Sequence, residues 1–294
     1  MTQPERFTLI DPKTGNLAFQ IRTIEKDSLN QVQRLNQYSL IWIKKGKGHV
    51  NADFSEYAYN EGAMFCFSPH QPFMLTSVTD LEALVIHFHP DFFCIYKHQK
   101  EVACDGVLFN NIYTSPQLTI TERDRLKLDL LIDQMKDEMQ QQGLAQYELL
   151  VSYLKIFLIT ASRLKTQQQE SQLQHISNEK EEPFVLQKLK DFINLHYKTK
   201  HKASEYAEML TMSQKALAKL TKTYFNKTMT DLITDRIVIE AKRELYLTNK
   251  TVKEIAYDLG YDDEYYFSRF FKKKAALSPQ AYRDSVGVAK PLYT

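Results

Sequence analysis

At 294 residues, 43% of them hydrophobic, the chain is long enough for two cores and too long for a single small module. Its net charge of +2 hides an asymmetry: the stretch from Phe184 to Thr294 holds 20 lysines and arginines against 13 aspartates and glutamates, the rest 18 against 23, so the positive field that nucleic acid requires sits in the last third. Three cysteines without C-x-x-C spacing argue against a disulfide framework or zinc ribbon, and with no apolar run near the roughly 18 residues of a membrane span and no secretory signal in MTQPERFTLIDPKTG, reduced thiols, a cytoplasmic location and no membrane partner are expected.

From about Ala18 to His89 the chain alternates in short runs: Tyr38 to Lys44, a glycine turn over 45–48, His49 to Phe54, Tyr57 to Tyr59, a turn at Glu61-Gly62, Ala63 to Phe67, Phe73 to Val78 and Ala83 to His89. Many short strands without helices predict a sandwich or barrel. His87 and His89, two apart on a strand, share a face as a metal pair would. With His49 and His70 they are weighed as ligands, but hydrogen-bonded or surface histidines are the favoured reading, and no metal or cofactor is expected. Cys94 and His98, four apart, with Cys104 nearby, raise a thiol sensor or metal clip; in DFFCIY a packed thiol is favoured.

Thr119 to Gln142 reads as a capped helix carrying Leu126, Leu130, Ile132, Met135 and Met139. Gln146 to Thr166 reads as a second, carrying Leu149, Leu150, Tyr153, Leu154, Phe157, Leu158 and Ala161. Both apolar faces are wider than packing on one small barrel needs, so a homodimer is expected. Gln167 to Pro183 is glutamine-rich and polar, a linker composition. The organisation expected is therefore 1–166, a linker at 167–183, and 184–294.

Thr230 to Leu247 has no Gly or Pro and aligns Leu232, Ile233, Ile237, Ala241 and Leu245, a long helix. Val252, Ile255, Ala256 and Leu259 then recur at helical spacing, Gly260 stops them, and Asp262 or Asp263 caps a helix that turns Phe267, Phe270 and Phe271 inward. Glu264, Tyr265, Ser268, Arg269 and Lys272 are left outward, a face suited to a major groove, with Arg269 the natural guanine reader. A shift of about fifty residues finds an earlier copy: Ala207 and Leu210 match Ala256 and Leu259, and Leu217, Lys219, Lys222 and Thr228 match Phe267, Arg269, Lys272 and Ser278. A helix from Ser213 then presents Gln214, Lys215, Ala218 and Lys219, and phosphates fall to Lys222, Lys272, Lys273 and Lys274.

The run I-A-x-x-x-G-Y, Y-F-S-R-x-F-K and S-P-x-x-Y-R resembles the second helix-turn-helix of the AraC/XylS family of transcriptional regulators, and the order of strands, G-x-G hairpin and Ser68-Pro69-His70-Gln71-Pro72-Phe73 resembles that family's cupin-like arm. The resemblance implies an α+β chain: a cupin-like barrel with two trailing helices for effector binding and dimerisation, then an all-α domain with two helix-turn-helix units joined by a long helix. It implies a regulator that binds double-stranded DNA and answers to a small-molecule effector, with RNA polymerase a further partner and no enzymatic activity. Trp42, His70, His87 and His89 are the pocket residues expected. A cupin-type metal-dependent enzyme with an appended DNA-binding domain, and a thiol or metal sensor, are the competing readings. The family usually has a glycine where Asn226 and Ala276 stand; alanine in a left-handed turn costs about 1 kcal/mol, so the second turn is expected to be reshaped.

Overall fold

Strand β3, Tyr38–Lys45, is buried on both faces, and the N-terminal unit is built around it. The computed structural model describes residues 5–25, 28–52, 55–98, 106–141, 143–176 and 182–287. Contacts divide the chain into two compact units, Met1–Asn111 with Ser115–Gln168 and Ile112–Thr114 with Gln169–Thr294.

In the first unit β1 (Arg6–Ile10), β2 (Leu17–Glu25), β3, β4 (Gly48–Ala52), β5 (Ser55–Tyr59), β6 (Ala63–Phe67), β7 (Phe73–Ser77), β8 (Glu82–Phe88) and β9 (Gln117–Thr119) form two antiparallel sheets. The larger has the order β1-β2-β8-β3-β6-β9, the smaller β5-β4-β7. The alternation of β3 serves two cores. Tyr38, Leu40 and Trp42 join a cluster with Leu128, Ile132, Leu154 and Phe157 from the helices, while Ile41 and Ile43 join Val50, Phe65, Phe73 and Val85 between the sheets. A strand covered on both faces reads as a continuous apolar run for this reason.

That sidedness corrects one expectation. Trp42 lies on the helix-covered face, not in the inter-sheet interior, and Lys44 Nζ sits 3.0 Å from its ring centroid while pairing with Asp129. A cleft of about 290 Å³ beside it is lined by Lys44, Glu61, Glu122 and Arg125, charges of both signs.

Helices α1 (Glu122–Gln140) and α2 (Gln146–Ile176) follow. In α1 the buried residues are Leu128, Ile132 and Met135, whereas Leu126 and Leu130 are 75% and 60% exposed. Helix α2 runs ten residues past Thr166 into the stretch read as linker, because QQQESQLQHI contains no glycine or proline to stop it. Among the described residues no helix is long and apolar enough to cross a membrane.

The second unit is helical: α3 (Glu182–His196), α4 (Ala203–Met209), α5 (Gln214–Phe225), α6 (Met229–Leu247), α7 (Val252–Asp258), α8 (Glu264–Ala275) and α9 (Pro279–Val286). Its core takes Leu189, Ile193, Leu217, Leu232, Ile237, Leu245, Ile255, Phe267 and Phe271, all at most 2% exposed. Burying each phenylalanine contributes about 2–3 kcal/mol relative to leaving it in water. Phe270, expected inward, is only half-buried and rests against Tyr261 at 5.3 Å.

Candidate nucleic-acid interface

Two helix pairs, α4–α5 and α7–α8, repeat the same construction. The short helices are both seven residues long and the longer ones both twelve. Each first helix is closed by a backbone N–H donating five residues back, Met212 to Ala207 at 2.8 Å and Tyr261 to Ala256 at 3.0 Å. The residue before that donor is left-handed in both copies, Thr211 at φ 54° and Gly260 at φ 81°. At Gly260 a side chain would collide with the Lys198 carbonyl oxygen, so the glycine is required there twice over.

Side-chain caps open the longer helices. Ser213 Oγ accepts from the Ala216 N–H at 3.2 Å, and Asp263 Oδ1 accepts from the Tyr265 N–H at 2.7 Å. Both helices end on a left-handed residue, Asn226 at φ 52° and Ala276 at φ 63°. The second turn is therefore not reshaped: alanine takes the same conformation as its asparagine counterpart. The next helices start alike, on Thr228 and Ser278, whose hydroxyls accept from Asp231 and Ala281 at 3.1 and 3.2 Å.

This scaffold fixes what points outward. Gln214, Lys215, Ala218, Lys219 and Lys222 are exposed on α5, and Tyr265, Arg269, Lys272 and Lys273 on α8, with Glu264 and Ser268 half-exposed. Lys215, Lys219, Lys222, Arg269, Lys272 and Lys273 have no ion pair among the described residues, and Arg269 does not pair with Glu264. Other cations of this unit are held. Lys227 pairs with Asp235 at 2.7 Å, Lys250 with Glu244 and Asp258 at 3.0 and 2.8 Å, and Arg236 and Arg243 converge on buried Glu240 at 3.1 and 2.7 Å. Lys274, expected on phosphate, instead ties α8 to α6 through Asp231 at 3.2 Å. The neighbouring carboxylates therefore leave positive charge free on two helices.

Two residues of the quoted runs were given no role of their own from the sequence. Tyr266 is 57% exposed beside Tyr265, although it directly precedes buried Phe267. Arg283 clamps the turn between α6 and α7, its Nε donating to the Leu245 carbonyl at 3.0 Å and its Nη2 to Lys250 at 2.6 Å. Its signal was its place in the S-P-x-x-Y-R run, directly after buried Tyr282, whose ring meets Phe271 at 5.9 Å.

The residues expected to line a pocket in the first unit are spread over β3, β8, the turn at His70 and the segment after β8. His87 is buried with Nδ1 2.9 Å from Ser39 Oγ, on the opposite face of the sheet from Trp42. His89 lies past the end of β8, its Nδ1 accepting from the Asp91 N–H at 3.2 Å. His70 is buried in a left-handed turn, its N–H donating to Leu35 at 2.7 Å, and His49 is half-buried on β4. Cys94 and His98 sit in a turn, with the His98 ring stacked on Phe93 at 4.9 Å, and Cys104 lies outside the described residues. Among the described residues no three of His, Cys, Asp or Glu are grouped to hold a metal ion.

Residues 206–285 match a family model described as a helix-turn-helix domain. The chain is 26% identical over 259 residues to the HTH-type transcriptional activator Btr of Bacillus subtilis, covering 85% of this chain and 45% of that one. It is 32% identical over 97 residues to the raffinose operon transcriptional regulatory protein RafR of Pediococcus pentosaceus, covering 33% and 35%. The chain thus spans less than half the length of these curated relatives. The crystal structure of apo ToxT from Vibrio cholerae is 16% identical, with a TM-score of 0.44 over 92% of this chain and 99% of that one. Residues 206–285 are thus similar to the helix-turn-helix domain that transcriptional regulators carry.

Proposed function

We propose that the chain is a sequence-specific DNA-binding transcriptional regulator that answers to a small-molecule effector. In this reading 1–166 is a cupin-like effector-binding and dimerisation domain, 167–183 a connector and 184–294 the DNA-binding domain. The observation that carries it is the set of six unpaired cations, three on each of two equivalently capped helices, where neighbouring basic side chains are neutralised. The 19 residues of α6 span about 28 Å, close to the roughly 34 Å of one DNA turn, so one chain can offer α5 and α8 to successive major grooves. Dimerisation is supported by Leu126, Leu130, Leu149 and Ile156, large apolar side chains left exposed on α1 and α2.

Reading and gripping fall to different residues. Arg269, one turn into α8, can donate two hydrogen bonds to a guanine edge, so Arg269→Ala costs about 1–3 kcal/mol and relaxes preference at one base position. Lys273→Ala weakens all sequences alike and flattens the dependence of log affinity on log salt by about one unit. Titrations of the best retained DNA site and its single-base variants at several salt concentrations decide the matter. A folded Arg269→Ala protein with full base discrimination would sink the assignment.

A further inference from the structure

The inter-sheet face of the larger sheet carries a row of polar residues. The registers place Thr8 opposite Gln20, Gln20 opposite His87 and His87 opposite Ser39, a line across four strands. Gln20, Ser39 and His87 are at most 3% exposed, while Thr8 is exposed, so the row runs inward from solvent. In the next row Arg6 stands directly opposite Arg22. Like charges so placed repel, and neither guanidinium has a carboxylate partner among the described residues.

The hydrogen-bond inventory of this row is one-sided. The buried Nε of Arg22 and Nε2 of His87 have no partner. The Gln20 amide satisfies its neighbours with its oxygen towards them, accepting from Arg6 Nε and Nη2 and from Thr8 Oγ1, each at 3.1 Å, which turns its NH₂ away as a further donor. In the tautomer where Ser39 Oγ donates to Nδ1, the orphan Nε2 of His87 also carries a hydrogen. Burial first and the Arg22 charge second hold the His87 pKa down to about 3, against a smaller opposing contribution from the Tyr38 backbone, so the ring is neutral. Ordered water would satisfy the donors, but half-buried Arg22 would still face Arg6 with no counter-charge beside it among the described residues.

We infer that this row is an oxyanion-binding site, in which a carboxylate or phosphate group of a small molecule lies between Arg6 and Arg22 and accepts from Gln20 and from His87 Nε2. The inference rests on the effector-binding reading above and deepens it: the effector is an acid, held by donors that the protein otherwise leaves unmatched.

Calorimetry on the full chain with benzoate, phenyl phosphate and neutral benzamide tests it, the first two distinguishing a carboxylate from a phosphate source. At least one oxyanion is expected to bind, and benzamide much more weakly. Arg22→Gln and His87→Leu should each lower that affinity about tenfold or more, as loss of a charge-assisted or buried hydrogen bond does. Lys13→Gln, at an exposed lysine elsewhere, should leave it unchanged. Because Arg22→Gln removes a like-charge contact, its melting temperature should hold or rise. Oxyanion affinity no better than that of benzamide, or unchanged in folded Arg22→Gln protein, overturns the site. DNA titration with and without the oxyanion separates the two readings. Binding without any change in DNA affinity supports the site and counts against its regulatory use; a compound that shifts DNA affinity equally in Arg22→Gln protein keeps effector regulation and overturns the site.

Discussion

Replacing Ala276 by glycine tests the account of the repeat most directly. Ala276 sits at φ 63° and ψ −4°, at the C-terminus of α8, its N–H donating to the Lys272 carbonyl at 2.8 Å. An L-residue with a Cβ pays about 1–2 kcal/mol in this region. Its methyl group is exposed, so no packing is lost on removal. Against the relief stands the larger backbone freedom of glycine in the unfolded chain, about 0.5–1 kcal/mol. The net expectation for Ala276→Gly is a gain of about 0.5–1 kcal/mol, or a few degrees in Tm for a unit of this size. At Asn226 the same change should gain only a few tenths, because asparagine tolerates the left-handed region. Urea and thermal unfolding of the full chain, followed by helical circular dichroism, measure both. A larger gain at Asn226 than at Ala276, or a loss at Ala276, would refute the view that the two C-caps are equivalent and that the second is strained.

Arg283→Lys should cost about 1.5–3 kcal/mol, since an ammonium cannot reproduce the fork that holds the Leu245 and Lys250 carbonyls; urea unfolding unchanged from the parent counts against the clamp. For His87 the folded pKa of about 3 lies below the unfolded value, so the unfolded chain takes up protons first. Its stabilising share is intact above about pH 6.5 and is lost as pH falls towards 3, about 2 kcal/mol of it by pH 5. The slope of stability between pH 6.5 and 4 should flatten in His87→Leu, and an unaltered slope would place the titration elsewhere. Sedimentation of the full chain should show a dimer that Leu130→Glu with Ile156→Glu converts to monomer without loss of helix; a monomeric parent at high micromolar concentration refutes the stripe.

In the C-terminal unit, helix positions were legible because each boundary has local chemistry. Gly260, Asp263, Thr228 and Ser278 mark starts and stops through their own backbone preferences and side-chain acceptors, and the structure uses each of them in that way. Charge partnership was not legible. Lys273 and Lys274 are adjacent in sequence, yet Lys273 is exposed and Lys274 is taken up by Asp231, 43 residues away. Only packing of α8 on α6 makes that distinction. Arg283 escaped for the same reason, since its acceptors are carbonyls 33 to 38 residues earlier.

The strands show a different limit. Alternation within β3 separates Trp42 from Ile41 and Ile43 but carries no sign of which side the helices cover, and the expected pocket at Trp42 went to the wrong face for that reason. Strands β1 and β9 are held by pairing with β2 and β6, partners that no local pattern names. Register then creates what no segment contains. Arg6, Thr8, Gln20, Arg22, Ser39 and His87 lie on the more polar halves of four separate strands, and nothing within any one strand joins them. Strand order β1-β2-β8-β3 turns those halves onto a single face, and the inner part of that face is closed off from solvent. Two buried nitrogens of that face, Arg22 Nε and His87 Nε2, are thereby left without partners, and a bound acid would supply acceptors for them.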